Sequence, residues 1–356
     1  MSGQVRIFAD DSIMRLNEPV TAGSKIMEGF KSPFDAAVVE KLYTKDLRIE
    51  KSLIADEFGI DDLFSENDTV LSAVSEAKAD ASVCVMCNDI FGKVKRQAAV
   101  NGLYYLQPTY GTVSRYGLIP TASSMDQIGI VCSDYGKGFD VLAKVAGNDS
   151  RDGVMWQEDS YRYKAYEGAV KVAVPDNVWD KNDTSVIEEL TKSLTVNHME
   201  LSYYEVYHQL LYILSSAEIC NNTNRYDGVK FGYRNQSSKN LRELYFKTRS
   251  EGFTLNTKLA VIMGANVLTQ DNYVPYYEKA MKIRRLIKEA LIFDSYDVIA
   301  LPIRNSKSKY EQSALYALTA LAGLPSLTVP YGNSGIQFVA NVKREDILMR
   351  IADVLK

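Results

Sequence analysis

Histidine is scarce in this chain, since its 356 residues include only His198 and His208. So few imidazoles disfavour a metal centre built on them and a mechanism that needs a histidine base. Both histidines fit better as ordinary polar or core residues than as catalytic ones. We therefore expect no metal site, and nothing in the sequence implies a cofactor.

Cysteine is also scarce, and the irregular spacing of Cys84, Cys87, Cys132 and Cys220 is typical of free, mostly buried thiols. Cys84 and Cys87 form a C-x-x-C pair, which could serve redox chemistry or supply half of a metal site. No second pair accompanies it. Because the surrounding run ASVCVMC is apolar, we favour a buried strand.

Neither a dense basic run nor a long apolar run occurs. Lys and Arg number 41 against 45 Asp and Glu, a net charge of -4, so we expect no direct binding to nucleic acid. No stretch approaches the ~18 apolar residues that span a bilayer, and the first residues show no basic segment followed by an apolar one. A cytoplasmic protein without a membrane partner is predicted.

Helical and strand-like patterns alternate along the chain, which predicts an α/β fold. The spacing of apolar residues predicts helices over 34–44, 69–79, 273–293 and 344–356, with Asn67 and Asp68 able to cap the second. Strands are predicted at LRIEKSL, ASVCVMC, VKVAVP, MELSYY, YDVIALP, PSLTVP and GIQFVAN.

The predicted helix over 273–293 carries a basic group made of Arg284, Arg285 and Lys288. A solvated helix face is the favoured interpretation of such a group, and an anion site is the alternative.

The stretch QPTYGTVSRYGLIPTASSMDQIG at 107–129 places Pro, Gly and Ser turns around short apolar runs. It resembles the amidase signature family and, within it, the A subunits of tRNA-dependent amidotransferases. Further matches follow in family order over nearly the whole chain: SKIMEGFKSPFDAAVVEKL (24–42), DEFG (56–59), NRYDGVKFGYR (224–234), RSEGFTLNTKLAVIMG (249–264), YYEKAMKIRRLIKEAL (276–291) and AGLPSLTVP (322–330).

The resemblance implies a large central mixed β-sheet flanked by helices on both faces. It also implies a single domain over residues 1–356, shortened at the N-terminus and in the catalytic loops. The family hydrolyses amides with a serine nucleophile, a second serine in a cis peptide, and a lysine that accepts the proton. Because a shared fold does not carry the chemistry, each of these groups must be found separately.

None of the three groups is found where the resemblance implies it. Asp10 occupies the position of the lysine, Thr69 falls in the loop of the second serine, and Lys93 occupies the position of the nucleophile. Of the glycines in the oxyanion turn, Phe91 replaces one and Gly92 is retained. We therefore predict no catalytic residue, and an ion pair between Lys93 and Asp10 across the former pocket.

The positions implied for glutamine recognition have changed as well. Leu259 or Ala260 stands where the family has an arginine, and Ser313 stands where it has an aspartate. Tyr212 is a weak candidate for the aromatic wall. Without charged partners for its carboxylate and ammonium groups, glutamine is not an expected ligand.

Two functional hypotheses follow. The favoured one is a catalytically degenerate amidase-fold protein that acts as a non-catalytic partner or regulatory protein in an amidotransferase-like complex. The alternative is an active amidase, or a glutamine-dependent amidotransferase subunit that supplies ammonia, completed by a partner chain or by a rebuilt site. A short partner carrying the missing lysine and serine loop would favour the alternative.

Overall fold

The fold is built on a ten-stranded β-sheet. The computed structural model describes residues 5–60, 69–180, 184–304, 309–332 and 334–356. The strands are β1 (Arg6–Asp10), β2 (Ile49–Leu53), β3 (Val83–Asn88), β4 (Tyr104–Gln107), β5 (Ile128–Cys132), β6 (Lys171–Pro175), β7 (Thr195–Met199), β8 (Val298–Ile303), β9 (Ser326–Tyr331) and β10 (Ser334–Ala340). The α-helices are α1 (Ala37–Tyr43), α2 (Ser72–Ala79), α3 (Lys93–Val100), α4 (Tyr135–Val145), α5 (Thr184–Ser193), α6 (Tyr207–Thr223), α7 (Leu241–Gly252), α8 (Leu255–Val267), α9 (Gln270–Asn272), α10 (Lys279–Ala290), α11 (Lys309–Ala322) and α12 (Glu345–Val354).

The strand order across the sheet is β2-β1-β3-β5-β4-β9-β10-β8-β6-β7. β1 runs parallel to β2 and β3, and β6 runs parallel to β7 and β8. The strands between these two groups pair antiparallel with their neighbours. The sheet is therefore mixed, which confirms the predicted fold class.

Alternate side chains of the strands enter two separate hydrophobic clusters, as the two-residue period of a strand requires. On β1, Ile7 and Ala9 lie in the larger cluster and Phe8 lies in the smaller one. Helices α2 and α3 contribute to the smaller cluster, whereas α4, α6, α11 and α12 contribute to the larger one. The prediction of helices on both faces of the sheet is confirmed. That the whole chain is one domain stays a prediction.

The four cysteines are free and buried, as predicted. Cys84 and Cys87 lie three positions apart on β3 and belong to the clusters on opposite faces. Because their side chains point to opposite faces, the C-x-x-C pair cannot converge on one metal ion. Cys84 instead lies opposite Cys132 of β5.

Most of the predicted elements are present, but the strand predicted at MELSYY is wrong. β7 ends at Met199, and Tyr204–Val206 forms a 3₁₀ turn. The chain leaves the extended conformation there because the Leu201 amide donates to Asn177 Oδ1 (2.9 Å) and Tyr203 adopts φ 64°. The predicted caps of α2, Asn67 and Asp68, lie outside the described residues.

The helix predicted over 273–293 is composite, with a π-helical turn at Tyr273–Glu278 followed by α10, which ends at Ala290. Arg284 does not belong to a solvated face, since it is 8% exposed and packs against α11 and the 107–129 segment. Arg285 lies in solvent as expected. None of the helices in the described ranges is long and apolar enough to cross a bilayer.

Candidate functional site

A small cavity lies where the parallel strands β1 and β3 end, and we call it the Asp10 cavity. Carboxyl ends of parallel strands meet at one edge of a sheet, which is a common position for functional groups in α/β folds. The cavity has a volume of about 50 Å³. Its polar lining residues are Asp10, Ser12, Asp56, Asn88, Asp89, Lys93 and Thr121.

Asp10 is the last residue of β1 and is buried in the cavity wall. Its carboxylate accepts hydrogen bonds from the Ser12 amide (3.1 Å), the Ser12 hydroxyl and the Asn88 amide (3.3 Å). Burial raises the pKa of Asp10 to about 6, although the hydrogen bond from the Ser12 hydroxyl opposes the shift. Asp10 is thus a carboxyl group that changes charge near neutral pH.

Lys93 is the first residue of α3 and extends into the same cavity. Its ammonium group forms an ion pair with Asp56, and the two side chains are 6% and 22% exposed. The prediction that Lys93 pairs with Asp10 is therefore wrong, since its partner is Asp56. The Asp10 oxygens already accept hydrogen bonds from Ser12 and Asn88, whereas Asp56, in the DEFG motif, offers a carboxylate to Lys93.

Asp89 positions Lys93 by capping α3. Its carboxylate accepts hydrogen bonds from the amides of Gly92 (3.0 Å), Val94 (3.3 Å) and Lys95 (3.0 Å). Such a cap satisfies amides at the helix start that otherwise have no partner. Gly92 has φ 88°, and a Cβ atom there would lie 2.2 Å from the ring of Tyr316, so the retained glycine has a structural reason.

Thr69 is exposed and is not among the residues that line the Asp10 cavity. Its carbonyl accepts a hydrogen bond from Gln97 Nε2 (2.8 Å), and Gln97 Oε1 accepts one from the Leu71 amide (2.8 Å). These bonds hold the start of α2 against α3. Residues 66–68 of the loop, which the resemblance aligns with the family's serine loop, lie outside the described residues.

The substrate candidates Tyr212 and Ser313 meet at a different place. His208 of α6 makes a hydrogen bond through Nδ1 to the Ser313 hydroxyl, and its ring centroid lies 4.2 Å from that of Tyr212. Burial lowers the pKa of His208 to about 4, so the ring is neutral at pH 7. Tyr212 and His208 line a cavity of about 320 Å³ that shares no lining residue with the Asp10 cavity.

Neither candidate for the family's arginine position supplies a cation. Ala260 is buried and Leu259 is 38% exposed, both on α8. The part of the chain that the structure describes also contains no group of three or more His, Cys, Asp and Glu side chains placed to hold a metal ion. The roles of Tyr212 and Ser313 in binding stay predictions.

Asn88 connects the Asp10 cavity to the segment 107–129. Its backbone amide donates to Asp10, and its side-chain amide donates to Asp126 Oδ1 (2.7 Å). Burial raises the pKa of Asp126 to about 6 as well. Earlier in the segment, Arg115 donates to both carboxylate oxygens of Asp152, at 2.9 and 2.6 Å.

Sequence reasoning missed Ser12, Asp56 and Asp89 as members of the cavity. The sequence did contain a signal for each of them: Asp89 directly follows β3, Ser12 lies two residues after the end of β1, and Asp56 opens the DEFG motif. Polar residues just after buried strands are frequent at functional sites in α/β folds. The signal does not say which of them face one another.

Comparisons with known proteins agree with this architecture. The family model described as Amidase matches residues 78–349. The A subunit of glutamyl-tRNA(Gln) amidotransferase from Macrococcus caseolyticus is 32% identical over 96% of this chain and 81% of its own length. The corresponding protein of Trichodesmium erythraeum is 30% identical, over 98% of this chain and 83% of its own.

A solved structure shows the same fold. The crystal structure of the A subunit of glutamyl-tRNA(Gln) amidotransferase from Thermotoga maritima superposes with a TM-score of 0.72 and 24% identity. The superposition covers 99% of this chain and 82% of that one.

Proposed function

The chain belongs to the amidase signature family, and we propose that it is a non-hydrolytic member that works as a structural or regulatory partner within a larger protein assembly. The proposal has two parts, the loss of amide hydrolysis and the association with a partner, and different residues support each.

The ion pair between Lys93 and Asp56 carries the first part. Hydrolysis by this family needs a hydroxyl nucleophile activated by a base, and Lys93 stands where the motifs lead us to expect that nucleophile. An ammonium group held against a carboxylate has no free electron pair with which to attack an amide carbon. The lysine that would accept the proton is replaced by Asp10, which itself accepts three hydrogen bonds.

An apolar surface on α7 and α8 supports the second part. A groove of about 850 Å³ lies between these helices, and several large apolar side chains remain in solvent beside it. Phe246 is 73% exposed, Ile262 is 65% exposed and Leu241 is 57% exposed. Contiguous apolar surface of this kind marks interaction sites. The similar proteins are named as subunits, which is consistent with an assembly.

Activity measurements test the first part. The full chain, alone and together with the proteins that co-purify with it from its native cell, is assayed for hydrolysis of glutamine and of simple amides. We expect no hydrolysis above the blank in either case. Steady hydrolysis that disappears in Lys93→Ala but persists in Lys282→Ala, an exposed control on α10, would overturn the proposal.

Co-purification tests the second part. A defined complex should form with the unchanged chain and should be lost in Phe246→Glu, because a carboxylate at the centre of the apolar surface cannot be desolvated cheaply. Lys282→Glu is the control for altered surface charge and should retain the complex. A chain that remains alone under native conditions, or a complex that Phe246→Glu leaves unchanged, contradicts the role assigned to this surface.

One observation favours the alternative, an active amidase or amidotransferase subunit with a rebuilt site. The Ser12 hydroxyl donates to Asp10, and both residues line the cavity. A carboxyl group with a pKa of about 6 can act as a general base at neutral pH. If the site is rebuilt in this way, glutamine or amide hydrolysis should be measurable and should be abolished by Ser12→Ala.

A further inference from the structure

A second cavity, which we call the basic pocket, lies between α10, the turn that follows α11 and the 107–129 segment. Its volume is about 590 Å³, within the range typical of sites for small ligands. It is lined by three basic residues and by aromatic side chains, and it shares no lining residue with the Asp10 cavity or with the apolar groove. The residues that matter most are Tyr110, Trp156, Arg284, Arg285, Lys288 and Phe293.

The lining of the basic pocket contains cations and no acidic residue among the residues the structure describes. Arg284 is a fixed cation, because its guanidinium donates to the hydroxyl and carbonyl of Ser124 (2.7 and 2.9 Å) and to the carbonyl of Leu321 (2.6 Å). These acceptors are all neutral. Glu218 lies one hydrogen bond farther away and accepts from the Ser124 hydroxyl, so it balances part of this charge.

Lys288 is the cation whose charge is least compensated. Its ammonium group forms no ion pair or hydrogen bond with the described residues, in contrast to the guanidinium group of Arg285, which pairs with Glu289 at 2.6 Å. Lys288 is exposed, and desolvation by the surrounding side chains together with the nearby Arg284 lowers its pKa. An anion that contacts Lys288 would therefore gain an attraction that the protein itself leaves unused.

Aromatic surface lies next to these charges. Trp156 is 39% exposed and is held in place by a hydrogen bond from Nε1 to the Tyr110 carbonyl (3.0 Å). The ammonium of Lys343 lies 3.9 Å from the centroid of the Trp156 ring, and Glu158 pairs with that ammonium. A fixed indole beside cations suits a ligand that combines a ring with a negative charge.

We propose that the basic pocket binds a small aromatic anion, a carboxylate or phosphate monoester attached to a ring. Lys288 and Arg284 attract the anionic group, while Trp156 and Tyr110 provide surface for the ring. This inference does not depend on the proposed function, because neither the Asp10 cavity nor the apolar groove takes part in it.

Isothermal titration calorimetry of the full chain tests the proposal with three probes of similar size. Benzoate and phenyl phosphate carry the two anionic groups, and benzamide carries the ring without a charge. We expect saturable binding of at least one anion in the millimolar range or tighter, and of benzamide at least about tenfold more weakly. The tighter of the two anions shows whether the pocket prefers a carboxylate or a phosphate monoester.

Three variants locate the binding. Lys288→Glu should weaken binding of the anion by about tenfold or more, whereas Lys282→Glu should retain the affinity to within about twofold. Lys282 is the matched control because it lies on the same helix, pairs with Glu278 and is outside the pocket. Trp156→Ala should weaken the binding of phenyl phosphate. With inorganic phosphate as a fourth probe, which has no ring, the same variant should leave the affinity unchanged.

Three results would overturn the proposal. These are the absence of saturable binding for both anions, equal weakening by Lys288→Glu and Lys282→Glu, and binding of benzamide that equals that of benzoate. Circular dichroism of each variant ensures that a loss of binding is not a loss of fold.

Discussion

The Asp10 cavity and the 107–129 segment both bury charged groups, and they stabilise them in different ways. In the segment, Arg115 binds both oxygens of Asp152, whose side chain is only 6% exposed. In the cavity, Lys93 faces Asp56, which is 22% exposed. If the cation is removed, water can therefore solvate the Asp56 carboxylate in part, but it can hardly reach that of Asp152.

The two regions should therefore differ in how much stability is lost when a charged residue is replaced. The segment resembles the family closely and holds its charges in dense hydrogen-bond networks that the fold requires. In the cavity, Asp10 and Lys93 are buried at the ends of well-formed elements, β1 and α3.

The largest predicted loss of stability comes from replacing a tightly packed glycine in either region. Gly117, in the segment, has φ 81°, and a Cβ atom there would lie 2.4 Å from the Ala36 Cα. Gly117→Ala should therefore cost more than about 3 kcal/mol in the free energy of unfolding, measured by urea denaturation. Gly92→Ala should cost a similar amount, because Gly92 has φ 88° and the added Cβ would lie 2.2 to 2.5 Å from the Cδ2, Cγ and Cβ atoms of the buried Tyr316.

Gly29→Ala is the matched control. Gly29 has φ 81° but has no atom within 4 Å of the added Cβ, so only backbone strain of about 1 kcal/mol is expected. Equal costs at Gly29 and Gly117 would mean that the contact with Ala36 is not tight in solution.

The next effect compares the two ion pairs. Arg115→Met should reduce the free energy of unfolding by about 3 kcal/mol because it leaves Asp152 buried and uncompensated. Lys93→Met should cost about 2 kcal/mol, since Asp56 is more accessible to water. Arg285→Met, which removes an exposed pair on α10, should cost less than about 0.5 kcal/mol. A larger cost for Lys93→Met than for Arg115→Met would reverse the comparison.

The third prediction concerns pH. The pKa of Asp10 and that of Asp126 are raised to about 6 in the folded chain, above the usual value of an aspartate. The folded state thus binds more protons than the unfolded state, and each group's contribution to stability is lost as pH rises through its folded pKa. From pH 5 to pH 8 each contribution should fall by about 1 kcal/mol.

Asp10→Asn and Asp126→Asn should each remove that fall, as measured by urea denaturation at several pH values. His208 gives a control of opposite sign, because its pKa is lowered to about 4 and its neutral form stabilises the fold above that pH. His208→Gln should therefore reduce the gain in stability between pH 4 and pH 7. An unchanged pH profile in Asp10→Asn would show that this carboxyl is hydrated.

The smallest effect tests whether Asn88 couples the two regions. Ser12→Ala removes one hydrogen bond to Asp10, so it should raise the pKa of Asp10 above its value of about 6 and cost about 1 kcal/mol of stability. The pKa of Asp126 should not change, since Ser12 does not contact it. Carbon-detected NMR of labelled aspartates measures both titrations, and parallel shifts would indicate coupling through Asn88.

Much of the fold could be predicted from local patterns. The apolar run around Cys84 and the helical spacing over 344–356 each define an element whose hydrophobic face must be buried. The strand predicted at MELSYY failed because its β-forming residues were overridden by the contact of Leu201 with Asn177. Propensity is a weak determinant when a tertiary hydrogen bond competes with it.

The sequence identifies some residues of the candidate site, but it does not show which of them form ion pairs. The motifs identify Asp10 and Lys93 as the residues at altered positions, and both line the cavity. The sequence pairs them with each other, whereas the structure pairs Lys93 with Asp56, 37 positions away. Likewise, nothing in the sequence indicates that Arg284 is buried or that His208 joins Tyr212 to Ser313.

Composition and short-range periodicity establish the net charge, the apolar runs and the alternation of strands and helices, and the motifs establish the resemblance to the amidase signature family. Which charges face one another, and which remain uncompensated, depends on the fold. The energy of a charge depends on its distance to partners far apart in the chain and on its access to water, and neither quantity is contained in a local pattern.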